Sequence, residues 1–493
     1  MEKEKISKEQ IPETARKVTD TLVEKGFEAY LVGGCVRDLL RGKMPKDWDV
    51  TTNATPEEII SIFPHTHYEN NFGTVGVVFE EEENPTLQII EVTPFRVESE
   101  YSDSRRPDSV EWGQHIEEDL ERRDFTINAI AVDMPSLKIV DPFDGLRDIE
   151  KRRIKAVRDP RLRFQEDGLR ILRAIRLQAE LNFTIEHETS QAIAENVSIL
   201  NKIAQERIRD ELIRIVMSPS PAESVLIAQK LGVLKEIIPE LEEGLGMEQT
   251  ATHKYDVFMH LLVALQHTAD KGWPLEIRLA ALFHDIGKPR TRRKGGKNNY
   301  TFYGHEVVGE RMSKKILQKL KFPKKTIDKV VTLIRWHMFF SDTEQITLSA
   351  VRRMISNVGK ENVWDLINLR IADRVAIGRP KEEPYRLRKY QSMIEEVMSD
   401  PISVGMLKID GNNLQKDLQI KPGPIIGHIL HILLDEVLED PKLNETEYLL
   451  KKAQELSKLS EKELKKLGER GKNKKEEEEE QKVKKIRGKY GIK

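Results

Sequence analysis

The chain has 493 residues, 38% hydrophobic and 33% charged, with a net charge of −2, a length that sets a prior of about three domains. It holds no apolar run long enough to cross a bilayer, and its first ten residues, MEKEKISKEQ, are charged where a secretory signal needs an apolar stretch. A single cysteine, Cys35, excludes an internal disulfide; together these features predict a cytoplasmic protein.

Residues up to about 148 alternate strand-like runs (29–32, 76–79, 87–92, 127–132 and 138–140) with helical ones. This predicts a small mixed α/β head, closed by the turn-rich Asp141-Pro142-Phe143-Asp144-Gly145. Within it, residues 31–52 read LVGGCVRDLLRGKMPKDWDVTT. Gly33-Gly34 precede a predicted helix over 35–40; glycine lets the backbone approach a phosphate, and a helix start adds N–H donors and a favourable dipole. Arg37, early in that helix, offers a forked, permanently charged group to triphosphate oxygens. The run DWDV reads as a strand, so Asp47 and Asp49 emerge on one face. Carboxylates paired in this way can hold Mg²⁺ against a triphosphate. Glu91, in the predicted strand 87–92, is a candidate third carboxylate, with an ordinary strand glutamate as the other reading.

From about residue 149 nearly every segment has helical periodicity, which predicts an all-α remainder. Residues 151–176, KRRIKAVRDPRLRFQEDGLRILRAIR, are basic with few acids in the window, and read as a phosphate-binding footprint rather than a solvated helix face. Inside this window stand Asp167 and Arg170, followed by Arg173 and Arg176. Helical steps of three would set Asp167, an acceptor, beside Arg170, a donor. Cytosine and adenine both present an amino donor beside a ring acceptor, whereas uracil and guanine reverse that order, so one Asp/Arg pair suits C and A and leaves mismatched polar groups against U and G. Further on, Gly295-Gly296 with Asn298-Asn299 marks a loop, and Gly411, Pro422-Gly423-Pro424 and Gly427 punctuate short helices in 406–450. Residues 457–493 are dominated by Lys and Glu and predict a frayed or disordered tail.

Gly33-Gly34-Cys35-Val36-Arg37-Asp38 and Asp47-Trp48-Asp49-Val50-Thr51-Thr52 carry the patterns GG-x-VRD and D-x-D-x-x-T. In these the chain resembles the class II tRNA CCA-adding enzymes and their relatives the bacterial poly(A) polymerases, and the resemblance runs to about residue 450. It implies a nucleotidyltransferase head with a polymerase-β-like palm, an α-helical neck and body, and tRNA, CTP and ATP as partners. It implies two-metal nucleotidyl transfer at Asp47 and Asp49 with Mg²⁺, adding or repairing the tRNA 3′ CCA end without a nucleic-acid template. Arg122, Arg123 and Asp124 match the arginine–aspartate motif that contacts the nucleotide sugar; an ion-paired strand entry is the alternative. Asp167 and Arg170 match the motif that serves as a protein template, with Arg173 and Arg176 steering nucleotide or phosphates. The polar segment 98–111 corresponds to the loop required for the final A, and 406–450 to the RNA-holding end, whose main-chain amides could meet RNA phosphates.

His260, His284-Asp285, His305, His337 and Asp373 fall in the order of an HD-superfamily metal centre, with LAALFHDIGKP as its core. Imidazole and carboxylate ligands suit a divalent transition metal or Mg²⁺. His253 and His267 read as ordinary helix histidines. The expected boundaries are 1–148 for the head, 149–245 for the nucleotide-selecting neck, 246–400 for the HD-type domain, 401–456 for the RNA-binding end and 457–493 for the tail. Poly(A) polymerase, or an enzyme adding only A or only CC, is the near alternative. A phosphohydrolase with an RNA-binding head is the alternative of another class, and the presence of both Asp47 and Asp49 stands against it.

Overall fold

The computed structural model describes residues 6–68, 73–98, 110–249, 253–295, 300–339, 346–379, 381–460, 463, 464 and 467. The chain divides into two compact units, Met1–Glu242 and Glu243–Lys493.

The first unit opens with strands β1 (Ala29–Val32), β2 (Asp49–Thr52), β3 (Thr66–Tyr68), β4 (Val75–Val78), β5 (Ile89–Pro94), β6 (Arg96–Glu98), β7 (Val110–Trp112), β8 (Ala131–Asp133) and β9 (Ile139–Val140). Seven of them form one mixed sheet in the order β3-β4-β5-β2-β1-β8-β9, while β6 and β7 pair separately. In the main sheet β2 and β5 run parallel, with Asp49 in register with Glu91, and the other neighbours are antiparallel. Leu31, Val50, Ile90, Val92 and Val132 are fully buried and pack with Ile11, Val18 and Leu22. Each such side chain contributes about 1.5–3 kcal/mol on leaving water. The alternation of β2 turns Val50 into this core, so its neighbour Asp49 faces the other way.

The strand expected over 127–132 is split. Thr126–Asn128 form a 3₁₀ turn and β8 starts only at Ala131, because Asp124 Oδ1 accepts from the Phe125 amide (2.8 Å) and from Asn128 Nδ2 (3.1 Å) and fastens a turn there. After Glu150 the first unit is helical apart from the two-residue pair Arg153–Ile154 with Thr184–Ile185. The second unit is also helical, with one small hairpin among its described residues, Arg293–Lys294 paired to Tyr300–Thr301; most of the loop expected at its tip lies outside the described residues. In this unit the helix Val257–Asp270 packs on Val363–Ala376, and Leu275–Phe283 on Lys324–Trp336. Gly427, expected to interrupt a helix, lies within the helix Pro424–Glu439; nothing stands within 4 Å of where its Cβ would be, so the glycine serves no close approach there. Most of the charged tail lies outside the described residues. Among those described, no helix is long and apolar enough to cross a membrane.

Candidate functional site

A cleft of about 1210 Å³ opens in the first unit. Gly33, Asp47, Asp49 and Glu91 line one part of it. Contrary to the sequence expectation, Asp47 is not in the strand: β2 begins at Asp49, and Asp47 sits on the bend before it. The alternation survives across the bend, since Trp48 is buried, Asp47 exposed and Asp49 half-buried. Burial pushes the Asp49 carboxyl above its ordinary range and Asp47 adds to that push, while Arg123 and Arg37 oppose it. Two crowded carboxylates of this kind suit a hard divalent cation, with Glu91 beside them across the β2–β5 pairing.

Gly33 takes φ +79, which L side chains avoid, and a Cβ there would come within 3.0 Å of Arg123 Nη1 and 3.4 Å of Asp49 Oδ2. The helix that follows, Gly34–Leu40, brings Arg37 to the cleft. Its guanidinium is bidentate to Asp38 (3.0 and 2.9 Å) and reaches Asn128 Oδ1 at 2.8 Å.

The arginine–aspartate motif is anchored by a residue that the sequence reading missed. Asp119, fully buried, accepts from Arg122 (2.9 and 2.6 Å) on one oxygen and from Arg123 (3.3 and 3.0 Å) on the other. Burial alone would raise its pKa, but the two guanidiniums outweigh it and hold the carboxyl below its ordinary range. Three- and four-residue spacing from a helical acid to both arginines was the available signal. Asp124, also buried, pairs with Arg173 at 2.8 Å.

Asp167 and Arg170 do not share one helix. The helix Pro160–Glu166 ends just before Asp167, and Leu169–Leu181 begins two residues later. Asp167 caps that second start, its Oδ1 accepting from the Leu169 amide at 3.0 Å, and its Oδ2 takes Arg207 Nη2 at 2.9 Å. Arg170, buried, donates instead to Glu166 (2.5 Å) and to the carbonyls of Arg163 (3.0 Å) and Arg122 (2.9 Å). Both nevertheless line the cleft, with Arg173, Arg176 and Arg207. The basic window is less free than its composition suggested. Acids outside the window neutralise much of it, with Arg153 on Asp148 (2.5 Å), Arg161 on Glu195 (2.8 Å) and the buried Arg176 facing Glu211 at 3.4 Å. Of the segment 98–111, residues 99–109 lie outside those described.

The second unit gathers all six HD-type residues. Two groups of ligand atoms each lie within 4.8 Å of one another: His260, His284, Asp285 and Asp373, and Asp285, His305 and His337. Asp285 joins them, its Oδ2 facing His260 (3.2 Å) and His284 (3.3 Å) and its Oδ1 facing His305 (3.2 Å) and His337 (3.7 Å). His284 and His337 cap the ends of Leu275–Phe283 and Lys324–Trp336, and His305 opens His305–Lys319. The Nδ1 atoms of His284, His337 and His305 stand 2.9, 2.7 and 2.7 Å from the carbonyls of Ala281, Ile334 and Phe302. A carbonyl only accepts, so Nδ1 carries a proton on each ring, and the inward-facing Nε2 is the atom left to ligate a metal once it is deprotonated. A Cβ on Gly287 would strike the His305 carbonyl oxygen at 2.3 Å, so only glycine lets the His-Asp turn pack on the helix bearing His305. Burial would lower the His284 pKa, but Asp285 and Asp373 raise it to about 10. This buried, convergent set of imidazole and carboxylate donors fits a divalent metal. His253, expected to be an ordinary helix histidine, instead stands edge-on to His260 with ring centres 5.7 Å apart; His267 is buried against Trp273, as a packed histidine.

Residues 29–155 match the family described as Poly A polymerase head domain, 182–245 that described as Probable RNA and SrmB-binding site of polymerase A, and 253–376 the HD domain. The chain is 46% identical to a CCA-adding enzyme of Lactobacillus johnsonii over 215 residues, a stretch covering 43% of this chain and 52% of that enzyme. A CCA-adding enzyme of Lactococcus lactis is 31% identical over 89% of this chain and 96% of its own length. An A-adding tRNA nucleotidyltransferase of Deinococcus radiodurans is 32% identical over 83% and 91%. Among solved structures, the CCA-adding enzyme of Bacillus stearothermophilus in complex with CTP superposes with a TM-score of 0.67 at 26% identity, covering 90% of this chain and 98% of that one. On this near full-length likeness, the chain belongs to the family of CCA-adding enzymes and related tRNA nucleotidyltransferases.

Proposed function

We propose that the protein adds or repairs the 3′-terminal CCA of tRNA from CTP and ATP, without a nucleic-acid template. The carrying observation is the convergence of Asp47, Asp49, the Gly33 turn, Arg37, Arg123 and Arg170 on one cleft. In this reading residues 1–148 are the head, 149–245 the selecting neck and 401–456 an RNA-holding end, in a cytoplasmic protein. Asp47 and Asp49, with Glu91 beside them, would hold Mg²⁺. Bound there, the ion would lower the pKa of the RNA 3′-hydroxyl and offset the charge of the triphosphate and departing pyrophosphate. Gly33 and Gly34 let the main chain approach the triphosphate, while Arg37, Arg122 and Arg123 orient sugar and phosphates with Asp124 bracing Arg173. Asp167 accepts from the C or A amino group and Arg170 donates to the ring nitrogen, Arg173 and Arg176 supplying positive charge around the base. The test is nucleotide incorporation by Asp49→Asn: turnover should vanish while tRNA binding persists, and near-normal turnover at saturating Mg²⁺ would refute the assignment.

A second activity is supported by the geometry of the second unit. The six HD-type residues, in region 246–400, form two ligand nests joined by Asp285, and we read them as a metal-dependent phosphohydrolase centre. Purified parent protein should contain transition metal and release phosphate from nucleotide or RNA ends independently of Asp47. Equal metal content in His284→Ala and the parent would reduce the centre to a structural part.

A further inference from the structure

Four cations gather at the end of the helix that carries Asp373, and neither activity above uses them. Arg370, Asp373 and Arg374 stand at steps of three and four on the helix Val363–Ala376, so they share a face. Arg370 Nη1 donates to Asp373 Oδ2 at 2.6 Å, while the other oxygen of that carboxylate faces His260 and His284. Arg374 Nε donates to the Lys381 carbonyl at 2.7 Å, which fixes its guanidinium beside the turn that follows the helix. Arg379, exposed, directly follows that turn. The Lys254 amide bonds the Ile377 carbonyl at 3.3 Å, and its stem covers Gly378, where φ is +94 and a Cβ would come 3.1 Å from Lys254 Cβ. Lys254 follows His253, whose ring stands against His260.

The acids of the neighbouring segment turn elsewhere, Glu382 to Lys271 at 2.9 Å and Glu383 to Gln391 at 3.2 Å. A helix end favours one or two cations through its dipole. Asp373 offsets Arg370, and the other three cations around a single turn, beside a buried metal-type centre, leave an excess that an anion would relieve.

We propose that Lys254, Arg370, Arg374 and Arg379 form a phosphate-binding subsite that holds a terminal phosphate at the mouth of the HD-type centre. Guanidinium forks match the oxygens of a phosphate group, and their placement around one turn lets two of them grip it together. The inference rests on the phosphohydrolase reading only for what happens to that phosphate, not for its binding.

The test compares the full-length parent with Arg374→Gln/Arg379→Gln and with the charge-keeping Arg374→Lys/Arg379→Lys. Calorimetric titration with inorganic phosphate, after chelation of metal, should show at least about ten-fold weaker binding in the Gln pair and near-parental binding in the Lys pair. Arg379→Gln alone, at an exposed position, serves if the double variant is poorly folded. With metal restored, KM for a 3′-phosphorylated RNA or a nucleoside 3′-monophosphate should rise while kcat and metal content hold. A rise confined to the RNA identifies an RNA end as the source; a rise for both identifies any terminal phosphate. If phosphate binding is lost in the Gln pair yet the parent hydrolyses neither substrate, the subsite stands and the phosphohydrolase reading falls. If the parent hydrolyses both and the Gln pair binds phosphate as tightly as the parent, the subsite is refuted alone.

Discussion

Replacing Asp119 by Asn keeps the shape of a fully buried side chain and removes the charge that holds Arg122 and Arg123. Four donor contacts of 2.6–3.3 Å converge on its two oxygens. In the Asp119→Asn variant one oxygen still accepts, but the amide nitrogen would face the donors of the other arginine. Both guanidiniums are only 18% exposed, so water replaces the lost partner poorly. Breaking a buried pair on one side costs about 3–5 kcal/mol, and the retained acceptor places Asp119→Asn near the lower end. For a unit of this size about 3 kcal/mol corresponds to a Tm drop of about 6–12 °C, readable by differential scanning calorimetry. Because both arginines line the cleft, KM for CTP should also rise. The carboxyl titrates below its ordinary range in the folded protein, so its contribution is complete at neutral pH and is lost as pH falls through the folded-state pKa. The Tm gap between parent and variant should therefore close in acid. A Tm change below about 2 °C at neutral pH would show that the arginines are held by other partners and refute the reasoning.

Arg207→Ala frees the Asp167 carboxylate from its partner, and the kcat/KM preference for C and A over U and G should fall about ten-fold; an unchanged ratio with a lower overall rate would mean that Asp167 only positions the helix. Gly33→Ala forces a Cβ toward Arg123 and Asp49 at a positive φ, so nucleotide incorporation should drop sharply with tRNA affinity retained, and parental steady-state rates would contradict the close approach. In the second unit, metal must displace the proton that Asp285 and Asp373 keep on His284 up to about pH 10. Metal affinity measured by titration should therefore weaken about ten-fold per unit as pH falls from about 8 to 6, and a flat profile would remove His284 from the ligand set.

Local spacing made the frame of both sites readable. Alternation through β2 and the bend before it places Trp48 and Val50 inside and Asp47 and Asp49 outside, although of these four only Asp49 and Val50 belong to the strand. The order of six His and Asp residues foretold the cluster around Asp285, because each sits at a helix end or on a packed helical face. Pairings that depend on the tertiary fold were not readable. Asp167 meets Arg207 far along the chain, and Arg176 meets Glu211, so a count of acids within 151–176 overstated the free positive charge. His253 looked ordinary because nothing local places it against His260; the chain does so by bonding the Lys254 amide to the end of the helix bearing Asp373.

The most direct test uses purified full-length protein, Mg²⁺ and tRNAs ending before the first C, before the second C and before the terminal A, with each nucleotide supplied separately. The account predicts that the first two accept C from CTP, that the third accepts A from ATP, and that UTP and GTP are refused. A single A-accepting substrate would make this an A-adding enzyme, and unlimited A addition irrespective of the tRNA end would make it a poly(A) polymerase; either result would contradict CCA synthesis.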